Sequence, residues 1–167
     1  MIIRDERKED IAAIRDLTTS AFTGAPHSDG TEAAIIDGLR ANGALAISLV
    51  AERNDAIVGH IAFSPVSVSD GATNWFGLGP VSVDPSLQGQ GIGRLLIERG
   101  LDRLKELGAG GCVLLGEPAY YERFGFRHHE TLSFPGPPPE YFMALALHGP
   151  VPSGIVRYDK AFYGAAA

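Results

Sequence analysis

The sequence predicts an α/β domain with a mixed, mostly antiparallel sheet of about seven strands and about four flanking helices. Leu78–Leu115 reads as strand, glycine-rich turn, amphipathic helix and strand, which requires a crossover between parallel strands. Ala44–Glu52, Ala56–Val68 and Trp75–Val83 are apolar runs separated only by turn residues, as in antiparallel hairpins. The 167 residues show no repeat and no linker, so we expect one domain over residues 1–167.

The elements before this sheet region follow from hydrophobic spacing. Met1–Arg4 is a short apolar run that predicts an edge strand. Glu9–Phe22 and Thr31–Ala41 carry apolar residues at helical spacing, and the polar loop Thr23–Gly30 separates the two helices. Asn54-Asp55 is a turn dipeptide, which predicts a tight hairpin between its two flanking strands.

The elements that follow the glycine-rich turn are predicted in the same way. Ile92 to Leu107 has an apolar stripe of helical period, and Cys112–Leu115 reads as a buried strand. Pro118 begins a short helix, because proline suits the first helical position. Phe142–Leu147 and Ile155–Tyr158 are the last two apolar runs, and we expect them to form a closing hairpin.

Composition excludes several classes of protein. The net charge is −6, which disfavours a nucleic-acid surface and is compatible with a cationic acceptor, although it also serves plain solubility. No apolar run reaches the roughly 20 residues of a membrane span, and the charged N-terminus lacks a signal-peptide core. The single cysteine, Cys112, can form neither an internal disulfide nor a metal cage. We therefore expect a cytoplasmic protein with no membrane or nucleic-acid partner and no metal.

The glycine-rich turn Gln88–Arg94 has the layout of an anion site. It joins an apolar strand to the start of a helix, where unpaired N–H groups and the helix dipole attract negative charge. Arg94 stands in the first helical turn, where it is unfavourable without an anion. The glycine spacing departs from the dinucleotide fingerprint, and the Lys-Ser/Thr pair of a P-loop is missing.

Two motifs together suggest a family. Gln88, Gly91 and Gly93 fill the pattern Gln/Arg-x-x-Gly-x-Gly/Ala, and Tyr121 to Phe126 reads Tyr-x-x-x-Gly-Phe. In these motifs and over nearly its whole length, the sequence resembles the GNAT superfamily of acyl-CoA-dependent N-acetyltransferases. The residues around the motifs are similar to those of the bacterial YhbS-like subgroup. The resemblance implies the GNAT fold, with a sheet splayed between its fourth and fifth strands.

The resemblance also implies acetyl-CoA as co-substrate and a set of cofactor contacts. Pro80 interrupts the strand before the turn, and proline marks an edge or a bulge because it cannot donate to the ladder. By the resemblance, backbone groups of Val81 and Val83, with Ser82 between them, would contact pantetheine. The pyrophosphate would lie on Gln88, Gly89, Gln90, Gly91, Ile92, Gly93 and Arg94.

The sequence specifies the catalytic groups less completely than the cofactor contacts. The resemblance makes Tyr121 the acid that protonates the departing thiolate, with Tyr120 as the alternative, since a phenol is protonated at neutral pH. Glu52, His60 and His27 are candidates for the base, although each also has an ordinary structural interpretation. Cys112, in a buried-strand pattern, is expected to be a small core residue.

These observations predict an enzyme that transfers an acetyl group from acetyl-CoA to an amine by direct attack in a ternary complex. The acceptor can be a small molecule or a protein amine, and a homodimer is possible. The alternative is a non-catalytic acyl-CoA-binding or regulatory module, which would need the same phosphate turn but no catalytic tyrosine. A toxin that acylates charged tRNA is disfavoured by the acidic charge balance.

Overall fold

An eight-stranded sheet forms the centre of the computed structural model, which describes residues 1–26 and 28–166. The strands are β1 (Ile2–Asp5), β2 (Ile47–Arg53), β3 (Ala56–Val68), β4 (Trp75–Val83), β5 (Gly111–Leu115), β6 (Leu132–Ser133), β7 (Phe142–Ala146) and β8 (Gly154–Arg157). The α-helices are α1 (Ile11–Phe22), α2 (Glu32–Ala41), α3 (Ile92–Glu106) and α4 (Pro118–Tyr121). The main path runs β1-β2-β3-β4-β5-β7, while β8 pairs with β3 and β6.

The strand directions confirm the mixed sheet. The pairs β4–β5 and β6–β8 are parallel, and the other strand pairs are antiparallel. Asn54 and Asp55, at φ 52° and 64°, form the two-residue turn of the β2–β3 hairpin, as this dipeptide predicted. The helix α3 connects β4 to β5, which confirms the predicted crossover unit.

The expected hairpin between the last two strands is wrong. β7 pairs with β5, whereas β8 pairs with β3 and β6. The segment 147–153 between them contains Pro150 and Pro152 and is too long for a tight turn, so no local signal holds the two strands together. Each strand instead covers a buried neighbour that lies far away in the sequence.

The helices cover the two faces of the sheet. α3 packs against β2, β3 and β4, while α1 lies on β3 and β4 and packs against α2. On the α3 face, the ring of Phe63 occupies the space that a side chain at position 100 would fill, so Gly100 permits close helix–sheet packing. On the opposite face, Ile14, Ile36 and Val50 form a small core of their own.

β4 and β5 separate after a few residues. Among the described residues, their pairing is confined to Trp75–Gly77 against Gly111–Val113, so the edge of β4 from Leu78 to Val83 has no β5 partner. The pairing of β4 with β3 shifts register across Gly79-Pro80, so of the two possibilities that the proline left open, an edge or a bulge, the structure has a bulge. A splayed sheet of this kind offers unpaired backbone groups to an extended ligand.

Candidate active site

The glycine-rich turn presents backbone rather than side chains at the start of α3. Gly89 and Gly91 have φ values of 80° and 87°, a region that residues with a Cβ rarely adopt. Gly91 is the N-cap of α3, and the first turn of that helix contains no acidic residue. The leading N–H groups of α3 are therefore not capped by a side chain, which leaves them for an anion.

A cavity of about 570 Å³ opens at this turn. Most of the predicted cofactor residues line it: Val83, Gln88, Gly89, Gly91, Ile92, Gly93 and Arg94. Gln90 is exposed and does not line it, nor does Val81. The Ser82 side chain is buried, and its Oγ donates to Thr18 Oγ1 at 3.4 Å on the α1 face of the sheet. Ser82 can therefore contact a cofactor only through its backbone.

Leu87 and Arg123 also line the cavity and were missed by the sequence reasoning, and Tyr120, which was named only as the alternative acid, lines it too. The Arg123 guanidinium lies 4.4 Å from the centre of the Tyr120 ring, and its Nε donates to the Tyr120 carbonyl at 2.8 Å. Arg123 is part of the tyrosine motif, but sequence spacing alone could not reveal that α4 folds against the glycine-rich turn. The cavity thus has two arginines, since Arg94 stands at its helix end and pairs with exposed Glu98 at 3.0 Å.

The two tyrosines of α4 have different surroundings. Tyr121 packs over Gly116 at the end of β5 and makes an edge contact with the Phe126 ring, with 6.2 Å between centroids. Burial raises the pKa of Tyr121 to about 12, so its phenol remains protonated at neutral pH. Tyr120 stands at 90° to the Tyr121 ring and borders the cavity. Tyr121 is therefore placed beside the splayed strands, and Tyr120 beside the turn.

The candidate bases are distinguished by their partners. Glu52 accepts a hydrogen bond from Arg4 Nε at 2.8 Å, so its carboxylate is held in an ion pair at the outer strands. His27 lies outside the described residues. His60 is fully buried on β3, with Nε2 at 2.7 Å from Ser48 Oγ. Cys112 is also fully buried, and burial raises the pKa of its thiol, in keeping with a core residue.

The described residues were also searched for metal-binding groups and for membrane-spanning helices. In residues 1–26 and 28–166, no group of three or more His, Cys, Asp or Glu side chains is arranged to hold a metal ion. Within the same ranges, no helix has the length and apolar character needed to cross a membrane.

Comparisons with known proteins agree with this geometry. The model of the acetyltransferase (GNAT) family matches residues 11–126. The uncharacterized N-acetyltransferase YhbS of Escherichia coli K12 is 37% identical over 171 residues, covering 97% of this chain and 98% of that protein.

Two solved structures extend the comparison to the fold. A GNAT family acetyltransferase from Brucella melitensis, in complex with acetyl-CoA, is 47% identical with a TM-score of 0.86, covering 96% of this chain and 97% of that one. The E. coli YhbS structure, in complex with CoA, is 34% identical with a TM-score of 0.88, covering 98% and 92%.

Proposed function

The chain belongs to the GNAT family of acetyltransferases, and from that premise we propose that it transfers an acetyl group from acetyl-CoA directly to an amine. The observation that carries this proposal is the junction of two features. The cavity at the glycine-rich turn meets the unpaired edge of β4 at Val83, which lines the cavity and ends the strand. A phosphate-bearing head and an extended arm are the two parts of coenzyme A that such a junction would hold.

The pyrophosphate is assigned to the turn. Its oxygens would accept hydrogen bonds from N–H groups of Gly89 to Gly93, with Arg94 and Arg123 adding positive charge at the same cavity. The pantetheine arm is assigned to the open edge of β4, where its amides can pair with the backbone as an added strand. Leu78 to Val83 is about 20 Å of extended chain, at roughly 3.3 Å per residue.

The proposed reaction takes place at the thioester, which ends the pantetheine arm. The amine nitrogen forms a bond to the carbonyl carbon, and the C–S bond breaks with its electron pair passing to sulfur. Backbone N–H groups near Val83 would polarise the carbonyl. Tyr121, whose pKa is raised to about 12, stays protonated at neutral pH and can donate a hydrogen bond or its proton to the departing thiolate.

The acceptor is assigned only by class. It is a small-molecule or protein amine, and we expect it to approach from the sheet face opposite α3 and the glycine-rich turn. A homodimer and a single domain over residues 1–167 remain part of this proposal.

Thermal melting with ligands tests the cofactor assignment. Acetyl-CoA at one hundred times its dissociation constant should stabilise the folded protein by roughly 2.7 kcal/mol, whereas NAD and ATP should leave the midpoint unchanged. A thiol-release assay over a panel of primary amines then tests turnover. Binding without turnover on any amine would favour the regulatory module, and no acetyl-CoA shift at all would remove the proposal.

A matched pair of glycine variants locates the site. Gly91 and Gly43 have similar positive φ values, 87° and 69°, and in both cases a Cβ would meet open space. Valine at either position should therefore carry a similar backbone penalty. Only Gly91→Val should abolish the acetyl-CoA shift, because Gly43 lies away from the glycine-rich turn.

A further inference from the structure

The slot between the diverging strands β4 and β5 has residues 114–116 as its second border. β5 pairs with β4 only through Gly111 to Val113, so the backbone from Leu114 to Gly116 has no β4 partner among the described residues. On its other side this backbone stays paired, since the Gly116 N–H donates to the Tyr141 carbonyl at 2.9 Å. Gly116 is therefore a fixed point at the border of the slot to which the pantetheine arm is assigned.

Position 116 holds a glycine because of space, and not because of its backbone conformation. Gly116 is not among the glycines with positive φ, so its φ does not exclude a side chain. A Cβ at this position, however, would lie 2.3 Å and 2.7 Å from Cε2 and Cδ2 of Tyr121, and 3.2 Å from Leu114 Cδ1. The Tyr121 ring thus occupies the volume that a side chain at position 116 would take.

Three further aromatic rings surround Tyr121. Tyr120 stands at 90° to it with 5.0 Å between ring centroids, and the centroids of Phe124 and Phe126 lie 6.3 Å and 6.2 Å away. Gly125, at φ 98°, ends the short 3-10 turn of residues 122–124, and this left-handed residue reverses the chain between the two phenylalanines. The Tyr121 ring is therefore held between this aromatic cluster and the bare backbone of Gly116.

A side chain at position 116 would displace Tyr121 rather than its neighbours. Leu114 and Phe126 are 1% and 0% exposed and belong to the close-packed core, whereas Tyr121 is only partly buried. Carbon atoms in ordinary contact are about 3.5–4 Å apart, so the ring would have to move by more than about 1 Å. Because the core side is closed, the ring can move only toward solvent, and its hydroxyl moves with it.

We propose that Gly116 is a positioning residue for acetyl transfer, because its missing side chain lets the Tyr121 ring lie over the end of β5 and places the phenol beside the slot. The inference rests on the function proposed above. A hydrogen bond or proton transfer to sulfur requires the phenol oxygen within about 3 Å of its target, and a displacement of about 1 Å breaks such a contact. Gly116 therefore acts on the reaction through Tyr121.

The step that depends on this placement is the departure of the thiolate. The amine nitrogen bonds to the thioester carbon and loses one proton to water, while the C–S bond breaks and sulfur takes its electron pair. Sulfur accepts a hydrogen bond or the proton of the Tyr121 phenol, which regains a proton from water if it has given one. Tyr120 does not compete for this role, since Tyr121 supplies the two atoms nearest to the missing Cβ, whereas Tyr120 borders the cavity at the glycine-rich turn.

Proton NMR tests the placement on the intact protein without any turnover. In ¹³C-labelled protein at pH 7, the α-protons of Gly116 should show nuclear Overhauser contacts to the Tyr121 ring, and Gly116→Ala and Tyr121→Phe supply the assignments. In Gly116→Ala, the contacts between the rings of Tyr121 and Phe126 should weaken. A wild-type protein without the Gly116–Tyr121 contact, or a variant with unchanged ring contacts, would overturn the proposal whether or not any amine is acetylated.

Kinetics of Gly116→Ala test the role. With acetyl-CoA and benzylamine, or the amine of the panel that the wild-type protein uses best, kcat should fall about 10- to 100-fold, while the acetyl-CoA dissociation constant changes less than twofold. In a Tyr121→Phe background the same substitution should lower kcat less than twofold, because the phenol is already gone. Unchanged kcat, or losses that simply add, would overturn the proposal. If wild-type protein binds acetyl-CoA but releases no thiol with any amine, the proposed function fails, and the NMR contacts still decide the placement of the ring.

Gly100→Ala is the matched control. A Cβ at position 100 would lie 2.2 Å from a ring carbon of Phe63, so the overlap with an aromatic ring is nearly the same as at Gly116. Neither Gly100 nor Phe63 lines the cavity at the glycine-rich turn, and Phe63 is fully buried. This variant should lose stability in urea but keep the kcat of its folded fraction within twofold of wild type. An equal loss of kcat in Gly100→Ala and Gly116→Ala would overturn the proposal, because any packing defect would then suffice.

Discussion

The buried imidazole of His60 makes the folded protein sensitive to mild acid. Its pKa is lowered from 6.5 to about 4 by burial, so the unfolded chain takes up a proton at a pH where the folded chain does not. His60 therefore does not reduce the free energy of unfolding above pH 6.5. As the pH falls from 6.5 toward 4, the free energy of unfolding decreases. As the pH falls from 7.5 to 5, the unfolded state takes up nearly one proton at His60, whereas the native state remains almost unprotonated there.

The size of the effect follows from that window. Each pH unit in which only the unfolded chain is protonated costs about 1.4 kcal/mol. The interval from pH 6.5 to 5 is about one and a half units, so His60 alone should remove about 2 kcal/mol from the free energy of unfolding. This is a substantial fraction of the roughly 5–15 kcal/mol that stabilises a typical domain.

Urea denaturation at pH 7.5, 6.5, 5.5 and 5.0 measures the effect, with wild type compared to His60→Gln. Titrating groups that do not interact with His60 act in both proteins and cancel in the difference. The stability difference between the two proteins should shift by about 2 kcal/mol in favour of the variant as the pH falls from 7.5 to 5. Parallel pH curves for the two proteins would refute the assignment of a neutral, desolvated His60.

Three further substitutions have defined outcomes. Tyr121→Phe should lower kcat about 100-fold and leave acetyl-CoA affinity intact, since it removes only the proton donor; full turnover would exclude Tyr121 as the acid. Arg123→Met should weaken acetyl-CoA binding about tenfold by calorimetry, whereas Arg99→Met, outside the cavity lining, should not; equal effects would contradict the cavity assignment. Gly100→Ala should destabilise the fold by about 1–3 kcal/mol in urea, because the new Cβ would overlap the Phe63 ring; unchanged stability would mean that the ring can move aside.

Local chemistry was enough to predict most elements from the sequence. The apolar stripe predicted a helix from Ile92 to Leu107, and the structure has α3 over Ile92–Glu106. Asn54-Asp55 predicted its hairpin turn, and Pro80 predicted an edge or a bulge, of which the structure has the bulge. Each of these signals depends on residues a few positions apart, which is why a single sequence contains them.

The backbone geometry of the glycine-rich turn and the family could also be predicted from the sequence alone. Gln88 to Arg94 is contiguous, and its positive-φ glycines and helix start act on the same few backbone amides. A turn that is built from one stretch of chain needs no long-range pairing, so its position and conformation could be predicted before the fold was known.

Only the tertiary structure decided the relations between distant segments. It separated the last two strands, brought Arg123 of the tyrosine motif to the glycine-rich turn, and held Glu52 in an ion pair with Arg4. It also aligned His60 with a serine from each neighbouring strand. These arrangements depend on which strands pair and which face each covers. That choice is made by burial summed over the whole sheet, and no short stretch of sequence contains it.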